Sequence, residues 1–200
     1  MPKKYLTKKN IVLIANGEFP TNNEALKLLN NPEYLICCDG AAESLNQIDK
    51  MADIIIGDLD SIGDELINIK KTKIIHIKNQ NNNDFRKALD WISDNMNIQK
   101  LSIIGSTGLR EDHTIGNLAT FLYHKFKFEI EILTNTGIFH VINHSKDIQT
   151  SINQYISLFC IDPKQKITTS GLKYELKNTS INLYTGTLNI TQSNQITITM

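Results

Sequence analysis

The 200-residue chain is expected to fold as an α/β parallel-sheet N-terminal domain followed by an all-β sandwich C-terminal domain. Three observations carry that expectation. Up to about residue 127, short apolar runs alternate with helical periodicity, the pattern of a mainly parallel sheet flanked by helices. Beyond it, runs rich in Ile and Thr are spaced by turn residues, the pattern of a small sandwich or barrel. Five strand exits in the first part also carry polar or glycine residues, which is where an open parallel sheet binds its ligands.

Strands are predicted at residues 11–15, 34–38, 53–56, 73–77 and 101–104. Helices are legible from apolar residues at i, i+3, i+4 and i+7: Phe85, Ala88, Leu89 and Ile92 in one, Ile115, Leu118, Ala119 and Leu122 in another. Both begin at polar residues suited to capping. From Phe128 the pattern changes, so the first domain is taken as residues 1–127 and the second as 128–200. Runs 128–133 and 138–142 bracket Thr134, Asn135, Thr136 and Gly137, a hairpin loop closing on glycine. Further strands are predicted at 155–161, 166–169, 180–184, 187–191 and 195–199.

Bulk properties exclude several function classes. Lys plus Arg and Asp plus Glu are both 21, so the formal net charge is zero and no polyanion-binding surface is expected; nucleic acid is not a partner. Lys3, Lys4, Lys8 and Lys9 read as a solvated basic tail, because the apolar run after them is too short for a signal peptide or membrane span. Cys37, Cys38 and Cys160 show no CxxC or CxxH spacing and fit free thiols in a reducing cytoplasm.

The strand exits carry the chemistry. Asn16 and Gly17 follow the first strand, Asp39 and Gly40 the second, Asp58 and Asp60 the third, Gln80 and Asp84 the fourth, and Gly105, Ser106, Thr107 and Gly108 the fifth. An extended backbone through Asp58, Leu59 and Asp60 points both carboxylates to one side, where they can share a metal. Gathered carboxylates repel one another, and a hard cation with oxygen ligands such as Mg²⁺ compensates them. The alternative for Asp58 and Asp60 is a solvated turn capping the next helix. Asp39 reads equally as an N-cap beside a permissive glycine, and Asp84 as a first-turn carboxylate favoured by the helix dipole.

The segment from Gly105 to His113 lets backbone amides approach an anion, and Arg110 adds a fork of charged donors. It is neither a Walker A loop nor a GxGxxG fingerprint. His113 is a secondary candidate for a base, against the reading of a capping or packing residue. In the β domain Tyr174 offers an aromatic face to a flat or cationic ligand, or else packs as a half-buried strand residue. Together these features indicate a metal-dependent phosphate enzyme.

In order and spacing, these motifs resemble the thiamin pyrophosphokinase family: Cys38 to Ala42, Gly57 to Ile62, Gln80 to Leu89, Gly105 to Asn117, Gly171 to Tyr174, and Ser193 with Asn194. The resemblance implies transfer of pyrophosphate from ATP to the thiamin hydroxyl, with Mg²⁺, in a homodimer whose sites lie between subunits. It implies Asp58, Asp60 and Asp84 as catalytic metal ligands. It puts Asp39, Gly105, Thr107, Arg110 and Asp112 on the ATP side, and Gln80, Tyr174, Ser193 and Asn194 on the thiamin side. Tyr174 stands where a tryptophan is common, Leu109 and Ala41 where glycines are usual, and Asn81, Asn82 and Asn83 replace a stretch with an acidic residue and a Ser or Thr. Another Mg²⁺-dependent phosphotransferase on a small hydroxyl compound, or a non-catalytic thiamin or nucleotide sensor, are the competing readings.

Overall fold

The computed structural model describes residues 5–6, 10–60, 63 and 71–200. The basic run at Lys3, Lys4, Lys8 and Lys9 and the pair Ser61 and Ile62 lie outside the described residues. The chain divides into two compact units, Met1–Val141 and Ile142–Met200.

In the first unit, β1 (Tyr5–Leu6) pairs in parallel with β6 (Met96–Asn97). The main sheet uses β2 (Ile11–Ile14), β3 (Tyr34–Cys38), β4 (Ile54–Gly57), β5 (Lys73–His76), β7 (Lys100–Ile104), β8 (Glu129–Leu133) and β9 (Ile138–Val141). Their spatial order is β5-β4-β3-β2-β7-β8-β9, parallel throughout except for the antiparallel edge β8·β9. The central strands read as continuous apolar runs because both of their faces are covered. On one face Ile11, Leu13, Ile36, Ile54, Ile56, Leu101 and Ile103 pack with Phe85, Ala88, Leu89 and Ile92. The alternate residues Val12, Ile14, Leu35, Ile55 and Ile104 pack on the other face with Ala25, Ala42 and Leu45.

The helices α1 (Asn23–Leu28), α2 (Ala42–Asn46), α3 (Asp84–Asn95) and α4 (Glu111–Tyr123) connect these strands. The apolar stripe expected on α3 is buried at all four of its positions, and full burial of such a side chain stabilises by about 1.5–3 kcal/mol. The stripe expected on α4 is not: Ile115 is 68% exposed, and Asn117 is the buried residue of that helix.

The expected boundary between residues 127 and 128 shifts. The hairpin β8–β9 forms as predicted, with Thr134 N–H donating to Gly137 O at 2.9 Å, but β8 pairs with β7 and so completes the first unit's sheet. Alternating strands at a sheet edge carry the same pattern as sandwich strands, which is why the pattern change came before the true boundary.

The second unit holds two antiparallel sheets. One has the order β10 (Lys146–Gln149), β14 (Gln195–Thr199), β12 (Thr168–Ser170); the other pairs β11 (Tyr155–Ile156) with β13 (Asn189–Ile190). Ile167, Leu172, Ile181, Ile196 and Ile198 form its core. β10 was not predicted from its pattern, whereas residues 180–184, predicted as a strand, contain none.

Candidate active site

Strand order reverses at β2: β3, β4 and β5 lie on one side of it, β7 and β8 on the other. Such a switch point opens a crevice beyond the carboxyl ends of the strands. A cleft of about 610 Å³ occupies that position, and every one of the five predicted strand exits contributes to its wall, through Asn16, Gly40, Asp58, Gln80 and Ser106 among others.

Three of the strand-exit carboxylates converge. Asp39, Asp58 and Asp60 each present an oxygen, and these atoms lie within 4.8 Å of one another. Asp39 is fully buried, the first residue of a 3-10 turn (Asp39–Ala41) rather than its cap. Gly57 makes room for it: a Cβ there would lie 2.4 Å from Asp39 Cβ. The route to convergence differs from the expected one. Leu59 has φ 67°, a left-handed turn rather than an extended residue, so the chain doubles back to bring Asp60 beside Asp58. For a leucine that conformation costs roughly 1–2 kcal/mol. Two oxygens bound to one Mg²⁺ at about 2.1 Å are at most about 4.2 Å apart, so this hard, all-oxygen donor set fits a divalent cation after small side-chain rotations.

Asp84 does not join that group. It is the first residue of α3, whose cap is Asn83 Oδ1, accepting from Arg86 N–H at 2.9 Å. Its Oδ1 instead accepts from Lys87 Nζ at 2.8 Å, and the same ammonium donates to Asp58 Oδ2 at 2.9 Å. Asp58 Oδ2 also accepts from Gln80 Nε2 at 3.0 Å. The hydrogen bond from Lys87 is the largest influence on the Asp58 carboxyl and, against partial burial, holds it below its ordinary range; the Lys87 charge, Gln80 and Asp60 add to that effect. For Lys87, burial disfavours the charged form, but the bonds and charges of Asp84 and Asp58 outweigh it and its pKa rises.

The fifth exit is held by backbone. Gly105 (φ +64°) and Thr107 turn their carbonyls to the loop after β2, where they accept from Gly17 N–H at 2.6 Å and Glu18 N–H at 2.8 Å. The loop's wall of the cleft is therefore Ser106, Gly108, Leu109 and Arg110, and neither Gly105 nor Thr107 lines it. Arg110 and Asp112 form a two-pronged pair, Nε–Oδ1 at 3.1 Å and Nη2–Oδ2 at 2.6 Å. The bond from Arg110 lowers the Asp112 carboxyl from 3.8 to about 2. His113 lines the cleft, with its backbone N–H on Asp112 Oδ1. Cys38 also lines it, and burial raises its thiol far above the usual range, so it stays protonated.

Tyr174, Ser193 and Asn194 belong to the second unit. Tyr174 is 60% exposed; its backbone is clasped by Asn189, and Lys173 Nζ sits 5.4 Å from its ring centroid. Gly171 (φ +94°) permits close approach to Ser193, since a Cβ there would lie 2.6 Å from Ser193 Oγ. Gln192 N–H donates to Gly171 O at 2.7 Å, so the Tyr174 turn and the Ser193 turn are neighbours. Asn194 O accepts from Thr150 N–H at 2.9 Å, a strand-end contact.

Two residues of the cleft, Lys87 and Asn117, were missed as site residues. Lys87 lies at i+3 from Asp84, a spacing that places oppositely charged side chains together on a helix and was readable in the sequence. Asn117 donates to Ser106 O at 2.9 Å and accepts from Asn83 at 3.0 Å, a bridge between two loops that no local pattern signals.

Comparison with known proteins identifies a family for the chain. The model for the thiamin pyrophosphokinase catalytic domain matches residues 25–133, and that for the thiamin pyrophosphokinase substrate-binding domain matches residues 137–200. Thiamin pyrophosphokinase 1 of Caenorhabditis elegans is 26% identical over 204 residues, spanning 94% of this chain and 82% of the relative. Thiamine pyrophosphokinase 1 of Arabidopsis thaliana is 31% identical over 163 residues, spanning 73% of this chain and 61% of the relative. Among solved structures, thiamin pyrophosphokinase from Candida albicans superposes with a TM-score of 0.75 at 18% identity, covering 100% of this chain and 90% of that one. Thiamine pyrophosphokinase from Bacillus subtilis gives 0.72 at 20% identity, covering 96% and 94%. With both domain models matched in order along the chain, the protein belongs to the thiamin pyrophosphokinase family.

Proposed function

We propose that this chain is itself an active thiamin pyrophosphokinase. The thiamin hydroxyl oxygen forms a bond to the β-phosphorus of ATP, the bond from that phosphorus to the α,β-bridging oxygen breaks, the hydroxyl proton is lost, and AMP leaves with thiamin diphosphate as product. The observation that carries this reading is the convergence of Asp39, Asp58 and Asp60 at the carboxyl ends of β3 and β4, with Asp58 lining the cleft at the sheet's switch point. Mg²⁺ bound there would neutralise polyphosphate charge and template the in-line geometry. Asp39, Asp58 and Asp60 would hold the cation, while Asp84 would act beside them through Lys87 rather than as a fourth ligand.

On the ATP side, Arg110 offers charged donors to a phosphate, and Asp112 keeps its guanidinium fork oriented. Gly105 and Thr107 shape the loop through their backbone bonds rather than by touching nucleotide. On the thiamin side, Tyr174 supplies a face for a flat cationic ring, with Ser193 on the neighbouring turn, and Gln80 and Asn194 are the further residues that the family resemblance assigns to thiamin. The second unit is thus the thiamin-binding domain.

The protein works as a homodimer in the cytoplasm. An apolar stripe on α4 that one chain leaves open at Ile115 supports the first point. Free cysteines support the second.

Product analysis tests the reading. Purified protein with ATP, Mg²⁺ and thiamin is expected to form thiamin diphosphate and AMP in equal amounts, and only when all three are present. Release of ADP, or AMP formation independent of thiamin, would assign a different phosphotransfer.

A further inference from the structure

Lys87 is an unusual residue to find in this cleft. It is 4% exposed, and its ammonium is shared between Asp58 Oδ2 at 2.9 Å and Asp84 Oδ1 at 2.8 Å. A buried ammonium is costly unless it is paired, which explains the geometry but not why a cation stands against a cation site. Asp39, Asp58, Asp60 and Asp84 carry up to four negative charges at the cleft, and Lys87 offsets one of them permanently.

We propose that Lys87 is a built-in counter-cation that weakens the hold of this site on a bare divalent ion, so that the metal enters and leaves with the nucleotide's phosphates. The proposal rests on Asp39, Asp58 and Asp60 being the cation ligands. Lys87 Nζ and Gln80 Nε2 both donate to Asp58 Oδ2, so the ammonium stands directly on a carboxylate that would hold the metal. With the ammonium 2.9 Å from Oδ2, an ion bound to the same carboxylate would lie on the order of 4–6 Å from it. At an effective dielectric constant of about 20, repulsion between +1 and +2 charges at that separation is roughly tenfold thermal energy. A polyphosphate supplies the negative charge that Lys87 has cancelled, so cation and nucleotide binding become coupled, each tightening the other.

The test is a Mn²⁺ titration, read from the electron paramagnetic resonance signal of the free ion, with and without α,β-methylene-ATP. Parent, Lys87→Met, Lys87→Arg and Asp58→Asn proteins are compared, each checked for fold by circular dichroism. Lys87→Met is expected to bind bare Mn²⁺ at least tenfold tighter than the parent, Lys87→Arg within about threefold of it, and the nucleotide analogue to tighten Mn²⁺ less in Lys87→Met than in the parent. Equal or weaker Mn²⁺ binding by folded Lys87→Met overturns the proposal, as does an arginine variant that behaves like the methionine one. Should Lys87→Met not fold, Lys87→Gln is read against the same expectations. Asp58→Asn separates the two layers: parental Mn²⁺ binding there overturns the cation site itself, whereas its loss there without tightening in the Lys87 variants overturns only the role of Lys87.

Discussion

Leu59 and Leu109 share a left-handed backbone, φ 67° and 61°, and flank the cleft from opposite sides of the sheet's switch point. Leu109 stands where the family resemblance expects glycine, and its side chain is largely exposed, so little packing repays the strain. Glycine removes the Cβ clash but adds chain entropy, and the first effect is the larger. Leu109→Gly is therefore expected to stabilise by about 0.5–1 kcal/mol in chemical denaturation, and a loss of stability would contradict this balance. Asp58→Asn and Asp60→Asn should each lower kcat by at least 100-fold while leaving the fold intact; near-parental turnover in either would remove that residue from the site. The Arg110–Asp112 pair gives a pH expectation. Because the folded pKa of Asp112 lies below its ordinary 3.8, the pair's contribution is present above that value and is lost as pH falls through about 2. Arg110→Ala should return the carboxyl midpoint, followed by carbon NMR, towards 3.8. The acidic residues themselves were legible in the sequence, since each follows an apolar strand. What was not legible was the left-handed Leu59 that brings Asp60 back to Asp58, because leucine gives no sign of a turn.

At the scale of elements, the altered Asn81, Asn82 and Asn83 stretch finds its explanation. Asn83 does the capping work of a Ser or Thr through Oδ1, and spends its amide on Asn117, which holds Ser106 in turn. One side chain thus starts α3 and ties the loop after β5 to the loop after β7. Asn83→Ala loses both functions, while Asn83→Ser keeps the cap alone. The first should cost about 1–2 kcal/mol and the second about half of that. A double-mutant cycle with Asn117→Ala isolates the bridge; additive effects would show that the two asparagines do not communicate. Strands β2, β3, β4 and β7 and helix α3 followed from apolar runs and 3.6-residue spacing, because burial on both faces leaves an unmistakable pattern, while the edge strand β5 was legible although only half-buried. The second unit's short strands were placed less well. Its two- to five-residue strands alternate too briefly for periodicity to separate them from turns, and β10 begins at the charged Lys146 and Asp147.

For the whole molecule, the sheet's reversal at β2 gathers strand exits as far apart in sequence as Asn16 and Ser106, about 90 positions, and that topology makes a site from residues that are individually ordinary. The proposed homodimer belongs to the level above the single chain, and the exposed Ile115 on α4 is its candidate contact. Ile115→Glu should shift sedimentation from dimer to monomer without unfolding the chain, whereas an unchanged dimer would place the interface elsewhere. The central claim is that carboxylates from two strand exits hold one divalent cation facing the nucleotide's phosphates. Anomalous diffraction from crystals grown with Mn²⁺ and α,β-methylene-ATP tests it most directly. A peak bonded to oxygens of Asp39, Asp58 and Asp60, at about 2.0–2.3 Å, is the expected result; a peak away from these residues, or nucleotide bound with its phosphates outside the cleft, would contradict the account.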